Sequence, residues 1–91
     1  MKDDRFEWDD RKAASNLRRH KIGFDAAREA FDANRFIDKA DDDPVEDRSL
    51  RVAEVQGRVI TVVYTERGHR IRIISVRKAT PQERKDYGEQ G

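Results

Sequence analysis

The 91-residue chain has no cysteine, only two prolines and no long apolar segment. Without cysteine, a disulfide framework and a thiolate metal site are both impossible. No apolar run approaches the roughly 18 residues that cross a membrane, and the acidic segment 1–10 lacks the apolar core of a signal peptide. The sequence therefore predicts a cytoplasmic protein without a membrane partner, and its length suits a single domain over residues 1–91.

Familiar cofactor and metal motifs are also missing. The chain contains no glycine-rich phosphate loop, no Ser-His-Asp nucleophile arrangement and no zinc-ligand spacing. The acidic run 41–43 lacks the alternating ligands and the distal glutamate of a calcium loop. We therefore expect no metal and no cofactor, so an enzyme with this sequence would work with its own side chains and those of its substrate.

What the chain does have is charge, unevenly distributed. Charged residues make up 43% of the sequence and hydrophobic residues 35%. Residues 1–47 contain 10 Lys and Arg against 14 Asp and Glu, whereas residues 48–91 contain 10 against 5. A surface of one sign attracts a partner of the opposite sign, so we expect a phosphate-rich polymer to bind the basic segment 58–78. Its cations are Arg58, Arg67, Arg70, Arg72, Arg77 and Lys78.

The first half of the chain predicts a short extended segment and two helices. Aromatic and acidic residues alternate over 6–9, and an aspartate at position 9 or 10 can cap a helix that runs to about Arg19. The apolar stripe of this helix consists of Ala13, Ala14 and Leu17. A second helix begins near Asp25, and its apolar positions at helical spacing are Ala27, Ala30 and Phe31.

The second half predicts an antiparallel sheet and a short final helix. Strands are expected over 35–39, 48–55, 59–65 and 70–77, with a break at 41–44 and a hairpin turn that uses Gly68. The run 59–65 is β-branched or aromatic almost throughout, which is typical of a central strand. Thr80 and Glu83 form a capping box for a helix that Gly88 ends. This order predicts an α+β fold with helices on one face of the sheet.

The returning strand of the hairpin carries three arginines. Strict alternation places Arg70 and Arg72 on one face of the strand and Arg77 on the other. Arginine binds phosphate well because its planar fork donates two parallel hydrogen bonds. Metal-free RNA cleavage would suit such a site, since RNA supplies its own 2′-hydroxyl nucleophile. The alternative is a solvated face in which Glu54 and Glu66 form cross-strand ion pairs.

Two separated motifs resemble the BrnT family of toxins. The first consists of FEWD at 6–9, Lys12, Asn16, Leu17, Arg19, His20, Phe24, Ala27 and Phe31. The second consists of VVYTERG at 62–68, RIRIISVRKAT at 70–80, Glu83, Arg84 and Tyr87. The family usually has glycine where Lys21 stands and serine where Gly23 stands. Two motifs in the correct order over nearly the whole chain make this a specific resemblance.

The resemblance implies a RelE-like fold and a toxin of a type II toxin–antitoxin pair. Such a toxin is a ribonuclease that stops translation and growth. Its partner would be a BrnA-like antitoxin with a ribbon-helix-helix DNA-binding domain, which covers the toxin and represses the operon together with it. The basic and aromatic positions of the family correspond here to Lys12, His20, Arg67, Arg72, Arg77 and Tyr87.

Three hypotheses follow for the basic residues. In the first, Arg67, Arg72 and Arg77 hold the scissile phosphate, and His20 or Tyr87 transfers protons. The cations expected to bind RNA beside them are Lys12, Arg70 and Lys78. In the second, the same surface binds nucleic acid without chemistry. In the third, it is a docking surface for an acidic protein.

Overall fold

The computed structural model of the chain describes residues 1–42 and 47–90, so the predicted break at 41–44 lies partly outside the described residues. No helix in these ranges has the length and apolar character needed to cross a membrane. The elements are β1 (Phe6–Glu7), α1 (Asp10–His20), α2 (Asp25–Asp32), β2 (Phe36–Ala40), β3 (Ser49–Val55), β4 (Arg58–Arg67), β5 (Arg70–Lys78) and α3 (Pro81–Gln90).

The strands form one five-stranded sheet in the order β1-β5-β4-β3-β2. Strands β2 to β5 are antiparallel to their neighbours, whereas the two-residue β1 runs parallel to β5. The prediction that the apolar run is a central strand is confirmed, since β4 lies in the middle of the sheet and buries Ile60 through Thr65. The α+β class is likewise confirmed.

The helices occupy both faces of the sheet, which corrects the expectation that all of them lie on one face. Helices α1 and α2 cover one face, where Ala53 packs in the main core with Ala27 of α2. The next residue toward the N-terminus, Val52, packs in a second core with Tyr87 of α3. Neighbouring residues of a strand point to opposite faces, so α3 lies on the other side. Strands β3 and β4 are apolar on both faces and therefore need a layer on each.

Helix α1 begins as predicted but buries a different residue. The Asp9 side chain accepts hydrogen bonds from the Arg11 and Lys12 amides and caps the helix. The expected apolar stripe is only partly right: Ala13 packs against the main core, but Ala14 is exposed and Leu17 is 52% exposed. The buried residue of α1 is Asn16. The amide side chain of Asn16 is buried because it has hydrogen-bond partners on β5, as described below.

The exit of α1 passes through a left-handed residue. Lys21 has φ 61° and ψ 24°, and its N–H donates to the Leu17 carbonyl at 2.9 Å. This is the conformation that glycine usually supplies at the end of a helix. The chain then returns through Ile22 and Gly23 to α2, where Ala27 and Ala30 are buried as predicted.

A β-bulge divides β5 and changes the predicted arrangement of its arginines. Val63 of β4 pairs with Ser75, but the next residue, Tyr64, pairs with Ile73, so Ile74 is the extra residue. After the bulge the alternation shifts by one position. Arg72 is opposite Thr65 and Arg77 is opposite Thr61, two positions of β4 that share a face. The prediction that Arg72 and Arg77 point to opposite faces is therefore wrong.

Helix α3 is anchored at its N-terminus by the predicted capping box. The Glu83 amide donates to Thr80 Oγ1 at 3.1 Å, and the Thr80 amide donates to Glu83 Oε1 at 2.8 Å. The helix continues through Gly88 to Gln90, so the predicted stop at Gly88 is wrong. A single glycine costs a helix only about 1 kcal/mol, which is too little to end one that is capped and packed on the sheet.

Candidate functional site

A groove with cationic walls lies between α1 and the edge of β5. Its volume is about 190 Å³. Five of its lining residues follow one another on one side of α1 at helical spacing, and two belong to the bulge of β5. The lining residues are Lys12, Ser15, Asn16, Arg19, His20, Ile74 and Ser75. None of these residues is acidic, so the groove suits an anionic ligand.

The cations of this groove form no salt bridge with a carboxylate among the described residues. Within residues 1–42 and 47–90, no ion pair involves Lys12, Arg19 or His20. Lys12 and Arg19 are exposed and His20 is partly buried. Their hydrogen-bonding capacity is therefore available to a ligand, which can replace water at little cost.

Asn16 forms the floor of the groove and joins three segments of the chain. Its Nδ2 donates to the carbonyls of Ile22 at 3.0 Å and Val76 at 2.8 Å. Its Oδ1 accepts from the Val76 amide at 3.2 Å and from Ser75 Oγ at 3.1 Å. All four hydrogen-bonding positions of the amide are thus used. Asn16 consequently fixes α1, its exit loop and the bulge relative to one another.

On the opposite face of the sheet, the arginines are held by carboxylates. Arg72 Nη1 lies 2.8 Å from Glu7 Oε2, and this ion pair lowers the pKa of Glu7. Arg77 binds Glu83 through both arms of its fork, with Nη1 to Oε1 at 2.8 Å and Nη2 to Oε2 at 3.0 Å. These arginines therefore differ from the groove cations, because a ligand that binds them must compete with an existing partner.

Glu83 is the most strongly perturbed carboxyl on this face. Burial by itself raises the pKa of Glu83, but hydrogen bonds from Arg77, the Thr80 amide and Thr61 outweigh it and lower the pKa from 4.5 to about 2. Thr61 Oγ1 donates to Glu83 Oε1 at 2.8 Å. Each of these bonds favours the charged form, so the carboxylate ties α3 to β4 and β5 at neutral pH.

The structure divides the predicted site residues among three places. Lys12 and His20 come together in the groove. Arg72, Arg77 and Tyr87 lie on the opposite, α3-covered face. The Tyr87 ring is buried among Ile37, Val52 and Ala79, and the Arg35 guanidinium lies 4.5 Å from its centroid.

The remaining predicted residues lie toward the two ends of the hairpin. Arg67 ends β4 as an exposed residue beside the turn, and its charge contributes to the lowered pKa of Glu7. Arg70 faces it across the turn and donates from Nε to the Asp3 carbonyl at 2.7 Å. Lys78 is exposed at the far end of β5. The hairpin arginines therefore do not converge on one point, and the role of each stays a prediction.

The predicted site did not include the other five residues of the groove, of which Ser15, Asn16, Arg19 and Ser75 are polar. Positions 12, 16 and 19 are separated by four and three residues, and a search for polar residues at helical spacing would have found them. No local signal identifies Ser75, because its place in the groove depends on the bulge. Among the described residues, no group of three or more His, Asp or Glu side chains could hold a metal ion.

Comparison with known proteins identifies the chain's family. A family model described as the ribonuclease toxin BrnT of a type II toxin–antitoxin system matches residues 8–83, which is most of the chain. A comparison with curated proteins gives no match. The matched range begins directly after β1 and includes α1, α2, strands β2 to β5 and the N-terminus of α3 with Glu83. The chain therefore belongs to the BrnT family of ribonuclease toxins from type II toxin–antitoxin systems.

Proposed function

We propose that this protein is a metal-independent endoribonuclease that cleaves RNA bound in the groove between α1 and β5. The observation that carries this proposal is the set of Lys12, Arg19 and His20 in one groove without an acidic lining residue. Cleavage of cellular RNA would inhibit translation and growth. The RelE-like fold expected from the resemblance is consistent with two N-terminal helices on a mostly antiparallel sheet.

The groove residues match what RNA cleavage requires. The 2′-hydroxyl oxygen attacks the adjacent phosphorus and loses its proton, while the bond to the 5′-oxygen breaks and that oxygen gains a proton. A 2′,3′-cyclic phosphate and a 5′-hydroxyl result. Lys12 and Arg19 would stabilise the negative charge that develops on the phosphate. His20 would transfer a proton, because imidazole can both give and accept one near neutral pH.

The face covered by α3 is a second candidate location for the same chemistry. The bulge places Arg72 and Arg77 on one face, about 13 Å apart as measured by four residues of the paired strand. The Thr65 hydroxyl, opposite Arg72, is buried and has no hydrogen-bond partner among the described residues. Substrate there would have to displace Glu7 or Glu83, so we place cleavage in the groove.

The activity itself is tested by incubating purified protein with RNA in excess EDTA. We expect cleavage to persist, with products that end in a cyclic phosphate and a 5′-hydroxyl. A lack of cleavage of both free and ribosome-bound mRNA would overturn the assignment as an active nuclease. Cleavage that stops in EDTA and returns with magnesium would overturn metal independence alone.

The location of the RNA-binding site is tested by the salt dependence of RNA binding. Lys12→Ala and Arg19→Ala should each reduce the slope of log affinity against log salt by about 0.7, the value for one phosphate contact on a single strand. Lys85→Ala is the matched control, because Lys85 is an exposed cation on α3, outside the groove. If Arg72→Ala changes the slope and the groove variants do not, the binding site lies on the other face.

A non-catalytic binding module would give a different pattern. In a nuclease, His20→Ala should strongly reduce the rate of cleavage while the affinity for RNA changes only modestly. In a module that only binds, no cleavage is seen at all, and the inhibition of translation should fall in proportion to the affinity. His20→Ala therefore separates the two functions, because only a nuclease loses activity while it keeps its affinity for RNA.

The partner expected for this protein is a BrnA-like antitoxin with a ribbon-helix-helix domain. Membership of a type II toxin–antitoxin family requires an antitoxin, and a protein that covers the groove would neutralise the toxin directly. We expect co-expression with the neighbouring reading frame to restore growth and to yield a tight complex that binds operator DNA through the antitoxin. Growth inhibition that persists despite complex formation would show that the antitoxin leaves the groove open.

A further inference from the structure

Ser75 lines the groove, and its hydroxyl is already used as a hydrogen-bond donor. It donates to Asn16 Oδ1 at 3.1 Å, while its residue lines the groove beside Lys12 and His20. A hydroxyl has one proton and two lone pairs. Because the proton is directed at Asn16, the lone pairs are what Ser75 offers to a ligand.

The orientation of the Asn16 amide makes this constraint firm. Its Nδ2 is surrounded by the carbonyl oxygens of Ile22 and Val76. A flipped amide would place Oδ1 against two acceptors, which is unfavourable for a buried group. Oδ1 therefore stays on the side of Ser75, where it accepts from both Ser75 Oγ and the Val76 amide. If Ser75 donated elsewhere, this buried oxygen would lose one of its two bonds.

A phosphate cannot satisfy the lone pairs of Ser75, because ionised phosphate oxygens only accept hydrogen bonds. The ligand group beside Ser75 must therefore be a donor. The cations of the groove already favour the phosphate of a nucleic acid, and the donor attached closest to an RNA phosphate is the ribose 2′-hydroxyl. DNA has no donor at that position.

We propose that Ser75, oriented by Asn16, accepts a hydrogen bond from a ribose 2′-hydroxyl and so makes the groove select RNA over DNA. Lys12 and Arg19 would attract either polymer, since both carry the same backbone charge. Ser75 would then distinguish them. This inference rests on the proposed RNA-binding groove but concerns recognition, so it can be tested by binding without cleavage.

The test measures binding of labelled single strands by fluorescence anisotropy in the His20→Ala background, with the strands checked for integrity afterwards. Four strands of one sequence are compared: RNA, DNA, 2′-fluoro RNA and 2′-O-methyl RNA. The 2′-fluoro strand retains an RNA-like sugar conformation but has no 2′ donor. We expect RNA to bind roughly three- to tenfold more tightly than 2′-fluoro RNA, as one neutral hydrogen bond allows.

The decisive comparison adds Ser75→Ala. This variant should reduce the affinity for RNA by the same roughly three- to tenfold and leave the affinity for DNA and 2′-fluoro RNA unchanged. Ser15→Ala, which removes the other groove hydroxyl, should change the affinities for RNA and DNA by one common factor. Thermal unfolding of each variant confirms that the fold is retained.

Two further outcomes would overturn the inference, and they are distinguishable. If Lys12→Ala weakens binding but Ser75→Ala affects RNA and DNA equally or not at all, the groove binds nucleic acid and Ser75 does not select the sugar. If Lys12→Ala and Arg19→Ala both leave binding unchanged, RNA lies elsewhere, and the location of the proposed nuclease site fails together with the role of Ser75.

Discussion

The groove between α1 and β5 and the sheet face under α3 contain the same kinds of cation in opposite circumstances. In the groove, Lys12 and Arg19 have no ion-pair partner within the described parts of the chain. On the face, Arg77 is bound by both oxygens of Glu83. A count of basic residues therefore does not locate a binding site. The useful quantity is the number of cations that lack an anionic partner within the protein and can pair with an anionic ligand.

This difference in pairing also predicts which cations stabilise the fold and which act on a ligand. The Arg77 side chain is 27% exposed and that of Glu83 is 9% exposed, so the pair is largely removed from water. Removing one partner of such a pair leaves an uncompensated charge, which is costly. Exposed groove cations carry no such penalty. We therefore expect substitutions on the face to reduce stability and substitutions in the groove to reduce activity.

The largest expected effect is on catalysis. His20→Ala should lower the rate of RNA cleavage by about 10²- to 10⁴-fold, the usual contribution of a proton-transfer residue. His69→Ala is the matched control, since His69 is the other histidine and lies exposed in the hairpin turn. Equal losses in the two variants would break the distinction between the groove and the rest of the surface.

The second prediction concerns the face. Arg77→Ala should lower the free energy of unfolding by about 3 kcal/mol, because the Glu83 carboxylate loses its bidentate partner while it stays buried. Arg67→Ala, at an exposed position beside the turn, should change it by less than about 0.5 kcal/mol. Urea unfolding followed by circular dichroism measures both. A stable Arg77→Ala protein that fails to cleave RNA would move the active site to the face.

The third prediction uses pH. The pKa of Glu83 is about 2 in the folded protein, below its ordinary 4.5. A lowered carboxyl pKa stabilises the fold above pH 4.5, and this contribution, up to about 3 kcal/mol, disappears as the pH falls from 4.5 toward 2. Glu83→Gln should therefore flatten the stability profile in that window. Glu54→Gln, at an exposed position of β3, should leave the profile unchanged. Unfolding curves at successive pH values test the difference.

The smallest effect is expected beside the groove. Lys21 has a left-handed backbone at the end of α1, so Lys21→Gly should raise the free energy of unfolding by up to about 1 kcal/mol. Lys85→Gly, within α3, should lower it by about 1 kcal/mol. Cleavage should be unaffected by Lys21→Gly, because the loop already has this geometry. Destabilisation by Lys21→Gly would show that the lysine side chain contributes to the exit of α1.

Local patterns predicted the elements well because their causes are local. The Asp9 cap, the capping box of Thr80 and Glu83, and the β-branched run of β4 each act within a few residues, and each was confirmed. The left-handed Lys21 was not predicted, because the sequence there resembles an ordinary helix end and glycine stands only two residues later.

The relation between distant segments was less predictable. The β5 sequence alone does not predict that Ile74 is an extra residue, because the bulge is defined by the pairing of β5 with β4. Without the bulge, strict alternation would place Arg72 and Arg77 on opposite faces of β5. Similarly, the burial of Asn16 depends on its hydrogen bond to Val76, 60 residues away. Because leucine is apolar, the sequence predicted Leu17 as a core residue, but it is exposed. The α1 side of the groove could therefore be predicted from the sequence, but its β5 side could not.

The Glu83 carboxylate has a consequence for the order in which the chain folds. The same group caps α3, pairs with Arg77 of β5 and accepts from Thr61 of β4. An isolated helix of ten residues is marginal in water, so α3 gains its main support only once the central hairpin exists. Helix α3 should consequently form and melt with the hairpin as one cooperative unit. In hydrogen exchange, the α3 amides would open together with β4 and β5 and not as a fraying terminus.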